Sequence, residues 1–341
     1  MARLEITPLH PSLGAEVAGV DLSAPIDDAT RQVLNRALAD HLALVFRDQA
    51  LTPTQYLSAA SVFGPPMEQH YSQHNMPDHP LIGLIWHRNG QQPAERWHTD
   101  HTNRECPPAA TILYGVEIPS AGGGTSVASM RAAYLALPED ERRRLEGLTS
   151  FNGLDGKDDT RPEDREKYGT PIEHPMVRTH PVHGSRAVYF HISKATHISG
   201  MTPEASRAYM SALLDRMIRP EIVYHHVWRK GDVLVIDDRA TMHRAHGDYD
   251  RSQSRVLWRI IVEGDPHRRH DSRGEPRLHA RPARPDDPAG DRLSPRLAQG
   301  RRAGHRRPRH HAPRPRRLRQ KPEPRPLAAD RRGRPASLAS R

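Results

Sequence analysis

After Pro266 this chain has too little apolar surface to build a hydrophobic core, so packed structure is expected from the residues before it. Between His267 and Arg341 there is no Phe, Trp, Tyr, Ile, Val or Met, while 12 of the chain's 32 prolines fall in that stretch. It holds 22 Arg and 1 Lys against 7 acidic residues, a net of +16, and leaves 28 basic and 34 acidic groups, a net of −6, to the first 266 residues. The formal +10 of the whole chain is therefore a property of the tail. A segment with so little apolar surface cannot offset the entropy lost on ordering, so disorder is expected for residues 267–341. Three readings of the tail are open. Runs such as Arg314-Pro315-Arg316-Arg317 suit a basic arm on nucleic acid. The tail also fits a solvated extension of no function, or GC-rich coding sequence read out of frame, in which Arg, Pro and Ala dominate. The abruptness of the switch favours the last, and binding to nucleic acid is not expected.

Residues 1–266 read as one mainly β domain with flanking helices. Thr52-Pro53-Thr54-Gln55 combines an N-cap, Pro at the first helical position and Gln at the third, which predicts a helix through about Val62. Thr202-Pro203-Glu204 opens another, with Met210, Leu213, Leu214 and Met217 at helical spacing, and an earlier helix runs from Asp28 to Asp40. Strands are expected at Leu42–Phe46, Thr111–Ile118, Val188–His191, Ile222–Trp228, Val233–Ile236 and Arg255–Val262. Helices beside many non-consecutive strands fit a double-stranded β-helix, or jelly roll. The polar segment Asn152–Pro175 is expected to be a mobile lid. No apolar signal region follows Met1 and no apolar run approaches a membrane span, so a cytoplasmic protein is expected. The single cysteine, Cys106, excludes an intrachain disulfide and any multi-cysteine metal site, and is expected to pack beside Pro107 and Pro108.

Within this domain His98 and Asp100 stand at i and i+2, so on an extended segment both side chains project from one face and can meet one metal. A third ligand must come from elsewhere. His243 fits, because it follows the expected strand Val233–Ile236 and precedes the loop from Ala245 to Tyr249. Two imidazoles and one carboxylate on one face of an octahedral Fe(II) leave three positions for a bidentate co-substrate and dioxygen. Taken alone, His-x-Asp is equally an ordinary surface pair, and His246-Gly247-Asp248 repeats the spacing in a glycine-containing loop.

The strand Arg255-Val256-Leu257-Trp258-Arg259-Ile260-Ile261-Val262 weighs against the surface reading. Its period of two puts Arg255, Leu257, Arg259 and Ile261 on one face and Val256, Trp258, Ile260 and Val262 on the other. Two inward guanidinium groups require anionic partners. They are separated by roughly 13 Å, too far to clamp one small carboxylate, so two separate anions are expected. An edge strand with both arginines in water is the alternative.

Trp97-His98-Thr99-Asp100, Pro119-Ser120-Ala121-Gly122-Gly123-Gly124-Thr125, the run Asp237 to His243, and Arg255 with Arg259 together resemble the family of taurine dioxygenase and 2,4-dichlorophenoxyacetate dioxygenase. The similarity extends from about Leu4 to Asp265 and takes in Leu44–Arg47, Met130–Tyr134 and Val177–His180. The resemblance implies an Fe(II)- and 2-oxoglutarate-dependent dioxygenase. His98, Asp100 and His243 would hold the iron. Thr125 and Arg255 would bind the distal carboxylate of 2-oxoglutarate, and Arg259 with His70 would face the substrate's sulfonate or carboxylate. The implied reaction couples oxidative decarboxylation of 2-oxoglutarate, giving succinate and carbon dioxide, to hydroxylation by dioxygen of a small anionic substrate. Where the hydroxylated carbon carries a heteroatom, the product falls apart to sulfite or a phenol. A homo-oligomer is expected.

Two departures from the family pattern matter. Gly124 stands where the usual Gly-Gly-Asp-Thr has its acidic residue, which should loosen that loop while sparing the threonine's chemistry. Lys194 stands near an aromatic wall of the taurine enzymes, and with His197 the local pattern is closer to the herbicide-type enzymes. A cation there suits a second or larger anionic group and disfavours taurine; alternatively Lys194 snorkels to solvent. The rival functions are a zinc hydrolase on the same triad, which leaves Arg255 without a role, and a nucleic-acid-binding protein acting through its tail, which leaves the triad unexplained.

Overall fold

The computed structural model describes residues 3–86, 94–154 and 160–264, and the backbone of a two-residue antiparallel ladder between Arg269–His270 and Pro276–Arg277. The chain divides into two units, 1–281 and 282–341, the second lying wholly outside the described residues. The expectation of a disordered tail therefore falls almost entirely outside them.

An eight-stranded sheet carries the fold. Its spatial order is β1 (Glu5–Pro8), β2 (Ala15–Ala18), β3 (Ala43–Phe46), β14 (Val233–Asp237), β6 (Ala110–Glu117), β16 (Val256–Val262), β5 (His79–Trp86) and β4 (Asn75–Met76). All neighbours are antiparallel except β2 and β3. Alternation along these strands divides the core in two. Leu44, Phe46, Ile112, Tyr114, Val233, Val235, Ile260 and Val262 pack with Leu34 and Leu38 of α1 (Asp28–His41) and Tyr56 and Ala60 of α2 (Pro53–Ala60). Ala43, Val45, Leu113, Leu234, Ile236 and Leu257, on the opposite face, join a second cluster. That cluster includes Val127 and Ala128 of β7 (Thr125–Ser129), Met242 of β15 (Thr241–Ala245) and Val223 of β13 (Val223–His226), a three-stranded sheet in the order β13-β7-β15. It also takes in Met210, Leu213 and Met217 of α6 (Pro203–Met217) and Met130 and Ala133 of α3 (Met130–Ala136), which leads into α4 (Glu139–Glu146).

The helix starts follow their caps. Asp27 accepts from the Thr30 amide, Thr52 and Gln55 complete the expected capping box, and Thr202 accepts from the Ala205 amide. Among the described residues no helix is long and apolar enough to cross a membrane.

Four expectations need correction. Leu42 is not in a strand: it ends α1 in a left-handed conformation with φ 62°. The strand expected at Val188–His191 lies at β11 (Arg186–Val188), paired with β10 (Val177–Thr179), because the His191 ring accepts the Ser193 and Lys194 amides and turns the chain. The segment read as a lid is built structure over most of its described length, with α5 (Pro162–Tyr168) and β9 (Ile172–Pro175). β9 pairs with β8 (Thr149–Asn152) in a sheet completed by β12 (Ala195–Ile198), while residues 155–159 fall outside the description. Cys106 is exposed rather than packed.

Candidate metal centre

His98 and His243 are brought together by backbone pairing. The His98 amide donates to the His243 carbonyl at 3.0 Å and the His243 amide to the His98 carbonyl at 2.7 Å, an antiparallel bridge that sets both side chains on one face. His243 therefore lies inside its own strand, β15, rather than between a strand and a loop. One ligand atom from each of His98, Asp100 and His243 lies within 4.8 Å of the others. The His98 Nδ1 is 2.7 Å from the Arg96 carbonyl, which can only accept; the ring hydrogen sits there and Nε2 keeps its lone pair for a metal. Burial, reinforced by His98, brings the His243 imidazole down to about 3, and burial lowers His98 despite Asp100 beside it. Burial opposes ionisation of Asp100, but Arg259 and then His243 outweigh it and hold the carboxyl well below the usual range. Two neutral imidazoles and one carboxylate at neutral pH form a donor set that fits a divalent cation such as Fe(II). His246, the decoy, hydrogen-bonds to Ser126 instead.

A second carboxyl lies behind the triad. Thr111 Oγ1 is 3.0 Å from Asp100 Oδ2 and 2.7 Å from Asp238 Oδ2, and Thr99 Oγ1 donates to the Asp238 carbonyl at 3.0 Å. One hydroxyl hydrogen cannot serve two acceptors. Burial, and then Asp100, push the Asp238 carboxyl well above its usual range, and the one Thr111 hydroxyl bridges the two carboxyls.

Arg255 is 1% exposed. Its Nε donates to the Gly123 carbonyl at 2.7 Å, while Nη1 and Nη2 have no acceptor among the described residues. Burial brings the guanidinium down to about 10, still charged at neutral pH. Gly123 has φ +67°, and a Cβ there would stand 3.2 Å from Arg255 Cδ, so the chain passes this close only as glycine. A Cβ on Gly124 would stand 2.9 Å from the His226 carbonyl. The loop is not left loose by its missing acid, because Asp248 Oδ1 accepts the Gly123 amide at 2.8 Å from across the fold. Thr125, the first residue of β7, is buried nearby and accepts a hydrogen bond from Trp228 Nε1 at 2.9 Å.

Arg259 reaches toward Asp100 Oδ1 (3.5 Å) and donates to Gln69 Oε1 (3.1 Å). His70 is fully buried, stacks on His101 with centroids 3.7 Å apart, and meets Lys194 Nζ at 2.7 Å through Nε2. Burial, then His101, then Lys194 lower the His70 imidazole well below its ordinary value. Lys194 is 5% exposed, so it does not snorkel. His197 is not brought into this cluster: it stacks on Phe151 (4.4 Å, 5°) in the small sheet. Sequence reasoning missed Gln69, His101, Thr111, Asp238, Trp228 and Asp248 as parts of the site. It also missed His191, whose buried ring lies 5.6 Å from that of His98. The expected strands around Thr111 and Trp228, and the run Asp237 to His243 that holds Asp238, were the signals available for them.

A profile of the family described as "Taurine catabolism dioxygenase TauD, TfdA family" matches residues 5–261. The chain is 32% identical over 284 residues to (S)-phenoxypropionate/alpha-ketoglutarate-dioxygenase of Sphingobium herbicidovorans, covering 77% of this chain and 96% of that protein. It is also 32% identical over 281 residues to alpha-ketoglutarate-dependent sulfate ester dioxygenase of Pseudomonas putida, covering 77% and 90%. A crystal structure of a taurine dioxygenase from Burkholderia xenovorans superposes with a TM-score of 0.69 at 32% identity, covering 81% of this chain and 94% of that one.

Proposed function

Because the chain belongs to the taurine catabolism dioxygenase TauD, TfdA family, whose members are Fe(II)- and 2-oxoglutarate-dependent oxidoreductases, we propose a specific division of labour among its residues. His98, Asp100 and His243 hold the iron, with Thr111 and Asp238 steadying the carboxylate. Bound there, Fe(II) supplies the coordination at which 2-oxoglutarate and dioxygen react, giving succinate, carbon dioxide and a hydroxylated substrate carbon. Arg255 and Thr125 bind the distal carboxylate of 2-oxoglutarate; Arg259 and His70 face the anionic group of the substrate. The large sheet and the β13-β7-β15 sheet are, in this reading, the halves of a double-stranded β-helix. The catalytic domain spans 1–266, and the 267–341 tail takes no part.

One observation carries the reading: a guanidinium at 1% exposure, with two of its three nitrogens lacking an acceptor among the described residues. A buried cation left in that state is costly, and an acceptor-only carboxylate removes the cost. A zinc hydrolase on the same triad leaves that cation without a ligand.

The buried lysine beside His70, an imidazole that also feels the charge of Arg259, suits a substrate whose charge is wholly negative, such as an aryloxyalkanoate or an alkyl sulfate. Taurine carries an ammonium group that Lys194 would repel. The test is succinate formation from 2-oxoglutarate with a phenoxypropionate, an alkyl sulfate and taurine as prime substrates. The first two should exceed taurine, and Lys194→Ala should narrow the difference; taurine as the preferred substrate would overturn this choice.

A further inference from the structure

We propose that Trp228 is a positioning residue for the co-substrate, fixing the hydrogen-bond polarity of the pocket that takes its distal carboxylate. The inference rests on the assignment of Thr125 and Arg255 to that carboxylate. Trp228 follows β13 and is 4% exposed, its ring edge-on to the His226 imidazole at 4.5 Å and 88°. An indole N–H only donates, so across the 2.9 Å contact Thr125 Oγ1 must be the acceptor. The single hydroxyl hydrogen of Thr125 is thereby left to donate elsewhere. Arg255 has spent Nε on the Gly123 carbonyl and retains Nη1 and Nη2. These two side chains therefore offer donors alone, the Thr125 hydroxyl and the two Arg255 nitrogens, and the chemical group that accepts without donating is a carboxylate. Without the indole N–H the Thr125 hydroxyl is free to turn and its lone pairs can oppose the ligand's. Trp228 would thus act on the co-substrate through Thr125, without touching it.

The test is calorimetric titration of the Mn(II)-loaded full-length protein with 2-oxoglutarate and with 2-oxovalerate, which keeps the chelating 2-oxo acid and lacks the distal carboxylate. Trp228→Phe, which removes the N–H, should weaken 2-oxoglutarate roughly threefold to tenfold, the worth of one neutral hydrogen bond, and leave 2-oxovalerate unchanged. In a Thr125→Val background the same change should have no further effect, because its route to the ligand is gone. A packing role alone would weaken both ligands alike and add to Thr125→Val, and either result overturns the proposal. Should Trp228→Phe fail to fold, benzothienylalanine at position 228 replaces N–H by sulfur at nearly constant shape and carries the same expectations. If Arg255→Met binds 2-oxoglutarate as tightly as the wild type, the underlying assignment of the pocket fails, and this inference with it.

Discussion

Replacing Arg255 by Met should separate two effects that usually move together, ligand affinity and stability. The Arg255 side chain is 1% exposed, and its Nη1 and Nη2 lack acceptors among the described residues. Each charge-assisted bond these nitrogens make to a carboxylate contributes about 1.5–3 kcal/mol. Losing both, and leaving the ligand carboxylate buried without its partner, costs about 3–5 kcal/mol. The dissociation constant for 2-oxoglutarate should therefore rise by roughly two to four orders of magnitude. Stability without ligand should respond in the opposite sense. Burial lowers the guanidinium from its ordinary value to about 10, so the unfolded chain holds that proton more tightly than the folded protein. The penalty is fully present below about pH 10 and is relieved only as pH rises above it. Methionine removes the charge and keeps much of the volume, so the ligand-free variant should melt no lower than the wild type. Differential scanning calorimetry with and without 2-oxoglutarate, plus titration of the Mn(II)-loaded protein, measures both quantities. A variant that melts several degrees lower and still binds 2-oxoglutarate normally would refute an anion site at Arg255.

His98→Ala, Asp100→Ala and His243→Ala should each abolish turnover and metal retention with little change in circular dichroism, whereas His246→Ala should retain both; metal loss in the His246 variant alone would show that the wrong distal histidine was chosen. The metal-free protein should lose stability as pH falls from 6.5 toward 3, because His243 has an ordinary value of 6.5 and a folded value of about 3, so only the unfolded chain takes up the proton across that interval. Denaturant titrations across the range should show a shallower slope in His243→Asn. Deleting residues 267–341 should leave melting temperature and 2-oxoglutarate turnover nearly unchanged, and an insoluble or inactive truncated protein would show that the tail contributes packing.

Much of the metal site was legible because its geometry is local or periodic. His98 and Asp100 stand two apart on one segment, and the period of two in β16 set Leu257 on the face opposite Trp258 and Ile260, as the two core clusters bear out. Caps at Thr52 and Thr202 located the starts of two helices for the same reason, and the helix expected from Asp28 to Asp40 spans Asp28–His41. What the sequence hid depends on long-range pairing. β7 is a run of small residues, Thr-Ser-Val-Ala-Ser, with little alternation to mark it as a strand, yet it forms the centre of the second sheet. Asp248 belonged to a decoy motif, and its service to the Gly123 amide joins residues 125 positions apart. Lys194 and His197 looked equivalent as neighbours on the chain. Their difference, one buried against His70 and the other stacked on Phe151, follows from the turn at His191 and the irregular register between Ala195 and His197.

The most direct measurement is stoichiometric: succinate released per 2-oxoglutarate consumed by the purified protein under air, with Fe(II), with Zn(II) and with no metal, in the presence of a phenoxypropionate or an alkyl sulfate. Succinate should form with Fe(II) alone, in equal amount to the 2-oxoglutarate lost, and should fall to background when His243 is replaced by Ala. Cleavage of the alkyl sulfate with Zn(II), no succinate and no oxygen requirement would contradict the assignment of this triad and its arginine pocket to oxidative chemistry.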